Sequence, residues 1–455
     1  MSFIRLESNQ FTHPEITVRK GNDLVSPFTG IIKRLESISL QPDDPQFYHY
    51  YSEIGDISRF TQLKCFTEHG GAAIDENSAI TKAIGEGVER YCGAFYCPDE
   101  FIRSSYRNLK EEAINPASFN LFSEKQYNEF SFPYLPFQED TLTNWVYGFS
   151  LLKPRKILVP ANFVYIPYEY PTVEETIVNP ISTGLSCANT PDEALLSSIN
   201  EVVERDAFII TWLNRLPMPR VQFDPDEFPL VQQCIDNFEK FNIECIINDI
   251  TLDIPINVFM VTLISKYSGN DVPALAVATK AGLDLEHTLL GCIEEAAHTR
   301  VWARMLMREY LTGVSEDRDD YNYTDIIDNR GHVLFYCNPD SVKNLDFLIK
   351  NKHIKKLKKE SARNNMGPLD QLKQSLDILH DRGFEIIGVD VTTPDIAEIG
   401  LHVIRVIIPG LHPLHLGYKN RCLGGKRLYE IPGKLGFTRG PVKEEDINPY
   451  PHPFP

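Results

Sequence analysis

Two segments of this chain carry the same short pattern, and few folds can accommodate both. Pro191–Leu213 reads PDEALLSSINEVVERDAFIITWL. Ala194, Leu195, Ile199, Val202 and Val203 recur at the spacing of an amphipathic helix. Asn189 or Thr190 offers a cap and Pro191 a first-turn proline. Glu201 and Glu204 lie three apart, so both carboxylates share one face, and Arg205 follows. Ala79–Tyr91, AITKAIGEGVERY, repeats the pattern with Glu86, Glu89 and Arg90 on a helix predicted from about Glu76 to Phe95. A glycine-containing stretch leads into each helix, Glu68–Ala73 into the first and Asn179–Asn189 into the second, and both read as loops. The predicted unit is a loop followed by a carboxylate-bearing helix, present twice.

A single Glu-x-x-Glu is explained by ion pairs with Lys or Arg on its own helix. Two copies, each backed by apolar residues and followed by Arg, favour a different account. Four carboxylates brought face to face repel unless cations sit between them. Hard oxygen donors suit Mg2+, which keeps water and phosphate oxygens beside a few carboxylates. Arginine is a poor neighbour for a bare metal but a good one where a polyanion shares it. The residues therefore point to a Mg–ATP site between helices, with Arg90, Arg205 and Arg300 as phosphate contacts. Arg300 lies on a third predicted helix, Leu285–Tyr310, with Glu294, Glu295 and His298. Glu295-x-x-His298 has the spacing of a di-iron carboxylate bundle, but such bundles need two of these motifs and no strands.

The net charge of −18 argues against a generic nucleic-acid surface. Nine scattered cysteines without a C-x-x-C fit reduced thiols in a cytoplasmic protein. The N-terminus has no signal-peptide pattern, and no apolar run reaches the roughly 20 residues a membrane helix needs. The basic run from Lys350 to Lys359 reads as a solvated helix face. Short strands such as Lys156–Pro160 and Asn257–Ser265, and continuous apolar runs at Phe384–Val391 and Leu401–Pro409, alternate with the helices. That alternation predicts an α/β or α+β chain. The last residues, NPYPHPFP, place proline at every second position, which forces an extended, stiff segment. It reads either as a solvated tail or as a pre-organised rod inserted at a specific place.

KAIGEGVERY at 82–91, ANTPDEALLSSINEVVERDA at 188–207, EEAAHTR at 294–300, VIIPGLHPLHLG at 406–417 and INPYPHPFP at 447–455 follow one another in the order found in the YcaO family. The chain resembles that family, and specifically its azoline-forming cyclodehydratase branch, which the Pro-x-Pro-x-Pro ending marks. The resemblance implies a YcaO-type fold of repeated loop–helix units around an ATP/Mg site. It implies a segment 1–60 followed by a YcaO domain over 61–455. Glu86, Glu89, Glu201 and Glu204 match the family's Mg2+ ligands; Asn189, Glu193, Arg205 and Arg300 match its nucleotide contacts. Ser26–Arg34 is the expected region of the N-terminal nucleotide contacts. Lys82, Ala72 and His298 depart from residues common in relatives.

The implied reaction is ATP-dependent. A Cys, Ser or Thr side chain of a ribosomal precursor peptide attacks the preceding carbonyl, and the resulting oxyanion is phosphorylated. Loss of phosphate leaves a thiazoline or oxazoline, as in bacteriocin biosynthesis, with the Pro455 carboxylate as proton acceptor. Expected partners are the precursor peptide, a separate E1-like leader-binding protein, a flavin dehydrogenase and a second copy of the chain. Thioamide or amidine formation on the same scaffold, or a non-catalytic scaffold subunit, are the alternatives.

Overall fold

The computed structural model describes residues 10–58, 66–269, 271–312, 322–359 and 366–455. Among them are three sheets. The first is an antiparallel trio: β1 (Ile32–Ser37), β2 (Tyr48–Ile54) and β3 (Glu68–Ala73). The third has the order β4 (Ile102–Ser105), β5 (Leu142–Ser150), β13 (Ile387–Asp390), β14 (His402–Ile407) and β7 (Leu185–Ala188), with β6 (Lys156–Pro160) also paired to β5. Between them in the chain, β8 (Arg220–Gln222), β9 (Ile243–Asp249), β10 (Asn257–Ser265), β11 (Leu275–Gly282) and β12 (Ile354–Lys356) form the second, in the order β11-β10-β9-β8-β12. Apart from the β8–β12 pair, the ladders are antiparallel, so the chain is α+β.

The three helices expected from the sequence are α2 (Glu76–Ala94), α3 (Pro191–Leu213) and α5 (Leu285–Leu311). A short α1 (Pro14–Asn22) packs on α2, and α4 (Pro229–Lys240) covers the second sheet. α6 (Asn329–Cys337) and α7 (Pro368–Asp381) flank α5 and α3. Each principal helix spans two sheets: α2 the first and third, α3 the third and second, α5 the second and first. The helices and sheets thus close a ring, and the faces carrying the glutamates turn toward its centre.

Two expectations change. α3 is not a surface helix with one apolar stripe: from Val202 to Leu213 every residue is buried, because sheets lie on both sides of it. Glu68–Ala73 is a strand, not a loop, and pairs along its length with β2. Its glycines serve close packing. A Cβ on Gly71 would lie 2.4 Å from Lys82 Cβ on α2, and one on Gly70 would lie 2.5 Å from His298 Cε1 on α5. The first sheet also joins residues on both sides of position 60.

The basic run is likewise not a helix face. Lys355 lies in β12 and pairs with Asp249, and Lys359 lies 2.5 Å from Glu286. Of the cysteines, the eight described are free thiols, and Cys65 lies outside the described residues. Among the described residues no helix is long and apolar enough to cross a membrane.

Candidate functional site

Each helix of the ring follows the same local recipe of strand, side-chain cap, helix. Asp75 caps α2 by accepting from Ser78 N–H (2.9 Å), and Thr190 caps α3 from Glu193 N–H (3.3 Å). Asp284 caps α5 from His287 N–H (2.9 Å). The preceding strands then reach back to the carboxylates. Gly70 N–H donates to Glu86 Oε2 and Gly184 N–H to Glu201 Oε2, both at 3.1 Å. Gly184 has φ +84°, and a Cβ there would sit 2.4 Å from the Val406 carbonyl oxygen, so only glycine brings this N–H into place. The predicted loop–helix repeat is real as a strand–helix repeat, and it treats the first glutamate of each motif identically.

The two motifs converge. Glu89 lies among Glu201, Glu86, Arg90 and Arg405; burial, reinforced by the carboxylates of Glu201 and Glu86, drives its carboxyl well above the ordinary value. Arg90 stands 3.5 Å from Glu86 and 3.6 Å from Glu89. Arg205 holds Glu201 at 3.2 Å and binds Glu204 directly. Glu204 also accepts from Thr279 Oγ1 (2.6 Å) and Ala281 N–H (3.1 Å). Burial still pushes its carboxyl up to about 7.

α5 adds a second ring of charge. Glu295 faces Lys280, Arg205 and Lys82; burial opposes its ionisation, but these cations outweigh burial and hold it below the usual carboxylate range. Lys280 lies 3.4 Å from Glu295, and the pair raises the lysine's pKa. Glu294 accepts from Ile74 N–H (2.9 Å) and from Lys82 Nζ (2.5 Å), which ties α5 to β3 and α2.

Asn189 and Glu193 sit at the opening of α3 and face α1. Glu193 accepts from Thr12 N–H (2.5 Å) and Thr12 Oγ1 (3.2 Å); Asn189 Nδ2 donates to Thr17 Oγ1 (2.6 Å). Lys20 also faces Glu193. Ser26–Arg34 instead forms a turn and the start of β1, where Arg34 pairs with Glu53 on an exposed face. Arg300 stands apart from the glutamate pairs. Its charged neighbours are Asp44, Arg304 and Asp43, and its buried Nε and Nη1 have no hydrogen-bond partner.

Thr279, Lys280 and Arg405 are the site residues that pattern reading passed over. The signal was a single charge inside an otherwise apolar strand, in LAVATKAG and HVIRVI. His298 lies beside Gly70, and burial lowers its pKa, with Glu86 and Glu295 opposing. Among the described residues no three His, Cys, Asp or Glu side chains are grouped to hold a metal by themselves. A shared Mg2+, completed by phosphate oxygens, does not need such a closed group.

The C-terminal rod is inserted. Asn448 N–H donates to Leu213 O (2.7 Å), Trp212 Nε1 to Tyr450 O (3.1 Å) and Tyr336 Oη to Pro451 O (2.7 Å). Phe454, 2% exposed, lies 4.2 Å under the Arg205 guanidinium and against Phe208. Pro455 therefore ends one residue from the arginine that clamps Glu201 and Glu204.

A family model described as YcaO cyclodehydratase, ATP- and Mg2+-binding, matches residues 70–412. A heterocyclase solved in complex with substrate and cofactor is 25% identical, with a TM-score of 0.79 over 99% of this chain; this chain spans only 59% of that one. A YcaO protein from Methanopyrus kandleri, solved with AMPPCP and Mg2+, is 16% identical with a TM-score of 0.61, over 88% of this chain and 92% of that one. The E. coli microcin synthetase complex, solved with a bound pro-microcin, contains a chain 14% identical with a TM-score of 0.61, covering 98% of this chain and all of its own length. These last two likenesses establish the shared fold.

Proposed function

The chain belongs to the YcaO family, which binds ATP and Mg2+, and on that footing we propose that it is an ATP-dependent peptide cyclodehydratase. It converts Cys, and Ser or Thr, of a ribosomal precursor peptide to thiazoline and oxazoline. The observation that carries this reading is the meeting of the two motifs at Glu89, a buried carboxyl that has Glu86 and Glu201 as well as Arg90 and Arg405 for charged neighbours and is driven well above its ordinary value, first by burial. Such a carboxylate cluster is relieved by a divalent cation. Glu86, Glu89, Glu201 and Glu204 would hold Mg2+. Arg90 and Arg205 would exchange a carboxylate for phosphate oxygens, and Arg300, whose Nε and Nη1 lack hydrogen-bond partners, would be a further anion contact.

Asn189 and Glu193 would take the nucleoside end. Glu193 and Glu201 are about 12 Å apart along the helix axis, a span suited to an extended nucleotide. When bound, ATP supplies the phosphoryl group that makes an amide oxygen a leaving group, and Mg2+ offsets the charge gathering on it. The chain's own contribution is placement. The stiff tail carries Pro455, the proposed proton acceptor, to the edge of this charge cluster. A leader-binding E1-like partner is proposed because a relative of this fold works in a multi-subunit complex with its precursor. A flavin dehydrogenase, a homodimer and a cytoplasmic setting complete the proposal.

The test is ATP hydrolysis and precursor mass, measured with the chain and its partner protein beside Glu201→Gln and a version lacking 451–455. Loss of one water per ring, coupled to ATP use and abolished by both changes, is the expected result. ATP use with full ring formation by the shortened chain overturns the role of the tail. Unchanged activity of Glu201→Gln overturns the metal assignment.

A further inference from the structure

The basic run lies on an open sheet edge. Residues 350–359 read KNKHIKKLKK, six lysines and no acidic residue, in a chain with 45 basic and 63 acidic side chains. β12 stands at the end of the second sheet, beyond β8. The two strands pair in parallel, Ile354 with Arg220 and Lys356 with Gln222. Arg220 N–H donates to His353 O and Leu357 N–H to Gln222 O, both at 2.8 Å. His353 O and Leu357 N–H therefore face β8, as do both backbone groups of Lys355. Backbone direction alternates along a strand, so the N–H and C=O of Ile354 and Lys356 face away from the sheet. Among the described residues no strand pairs with this outer edge. Every residue from Lys352 to Lys356 is exposed, and Ile354 keeps 45% of its surface open.

Three of the lysines are held within the fold: Lys350 by Asp346 (2.7 Å), Lys355 by Asp249, and Lys359 by Glu286 (2.5 Å). With buried Leu357 they fix the strand in place. Lys352, Lys356 and Lys358 are exposed and make no ion pair among the described residues. A lysine on an edge strand guards a sheet against pairing with a copy of itself. Three open lysines beside free backbone groups also select: they repel a second basic edge and favour an acidic strand.

The edge also says what kind of acidic partner fits. It alternates donors and acceptors, which a phosphate chain cannot match and a polypeptide backbone can. It spans about 10 Å, far short of the roughly 1,200 Å2 that a stable contact between folded subunits buries. An extended segment needs no such area. We propose that the outer edge of β12 is a docking site for an unfolded, acidic segment of another polypeptide, which adds to the sheet as a further strand and sets its carboxylates against Lys352, Lys356 and Lys358. The glutamate cluster takes no part in this contact, so its test needs neither ATP nor Mg2+.

The probe is a fluorescein-labelled Glu-Val-Glu-Val-Glu-Val-Glu amide, titrated into the full chain at low salt and read by fluorescence anisotropy. A Lys-Val-Lys-Val-Lys-Val-Lys amide should not bind. Lys352→Gln with Lys358→Gln should weaken the acidic peptide about fivefold, and added salt should weaken it further. Lys356→Gln and Lys356→Pro remove the same charge, but only proline also removes the outward N–H, and it leaves the β8 ladder intact. Lys356→Pro should therefore bind about fivefold more weakly than Lys356→Gln. The acidic peptide N-methylated throughout keeps its charges and loses its donors; it should bind the wild-type chain about tenfold more weakly, and this arm needs no variant to fold. If the N-methylated peptide binds as well as its parent, the run only attracts negative charge and strand addition is overturned. Binding of a thymidine octanucleotide as tight as that of the acidic peptide overturns the choice of a polypeptide. Equal binding of the acidic and basic peptides, or none of either, overturns the site itself.

Discussion

Phe454 offers a direct measure of how firmly the tail is seated. It is 2% exposed and packed against both Phe208 and the Arg205 guanidinium. Truncating an enclosed phenylalanine to alanine costs about 3–5 kcal/mol, and a buried cation–π contact adds about 1 kcal/mol. A chain end can lift away instead of leaving a cavity, so the lower figure, about 3 kcal/mol, applies to Phe454→Ala. That is about a 100-fold fall in the docking equilibrium of the tail. Hydrogen exchange reads it at Asn448, whose N–H donates to Leu213 O: its protection should drop by about that factor. The global melt should hardly register it. With roughly 2.1 cal/mol/K per residue, a 455-residue chain needs about 1 kcal/mol for each degree, so Tm falls by about 3 °C at most. Ring formation should fall with tail occupancy while Mg–ATP binding persists. Unchanged protection at Asn448 would refute the seating argument. Loss of protection at Asn448 only in step with amides throughout α3 would show that the tail is part of the cooperative core, not a docked rod.

Three further outcomes follow from the same structure. Gly71→Ala should lower stability by about 1–3 kcal/mol in denaturant melts, because its Cβ would press on Lys82 Cβ and on the backbone of α2. Thr279→Val keeps the side-chain shape but removes a donor to buried Glu204, and should cost about 1–3 kcal/mol with no change in secondary structure by circular dichroism. His332 is neutral in the fold: Nδ1 donates to His452 O, Nε2 accepts from Gly417 N–H, and burial lowers its pKa to about 4. The unfolded chain binds that proton near pH 6.5, so stability should fall as pH drops from 6.5 towards 4, at up to about 1.4 kcal/mol per pH unit. His49, His69, His415 and His452, also lowered by burial, add to the slope, so His332→Asn should reduce it by His332's share in urea midpoints measured across the range.

Helix positions were legible because they are written locally. Asp75, Thr190 and Asp284 cap their helices as short polar residues before an apolar period do, and the ends of α3 could be read directly. What surrounded the helices was not local. Nothing in Pro191–Leu213 says that sheets cover both sides of it, because burial all round and a single apolar stripe differ only in what lies opposite. Gly70 and Gly71 read as a loop because glycine usually marks one; here they permit close approach of α2 and α5 to a strand, a reason held by distant residues. Glu86, Glu89, Glu201 and Glu204 stood out as a repeated spacing. Lys280 and Arg405 did not, since each is one charge in a strand and acquires meaning only when the strand is laid beside a glutamate.

The plainest account of a Glu-x-x-Glu-Arg helix, an ion pair within the helix, is literally true here: Glu86 with Arg90 and Glu201 with Arg205 are i, i+4 pairs. It does not compete with the metal–nucleotide account, because the arginines are the exchangeable half of the arrangement. The carboxylates are fixed from behind by groups that cannot leave, the N–H of Gly70, Gly184 and Ala281 and the Thr279 hydroxyl. The arginines are side chains, which can turn toward a phosphate if a divalent cation takes their place beside the carboxylates. Arg90 keeps 3.5 and 3.6 Å from its carboxylates on α2. Arg205 grips Glu204 directly, beneath the ring of Phe454. On this view the inserted tail does more than carry Pro455: by stacking on Arg205 it sets how far that guanidinium can swing toward the proposed nucleotide site, so Phe454→Ala should shift Mg–ATP affinity without abolishing binding.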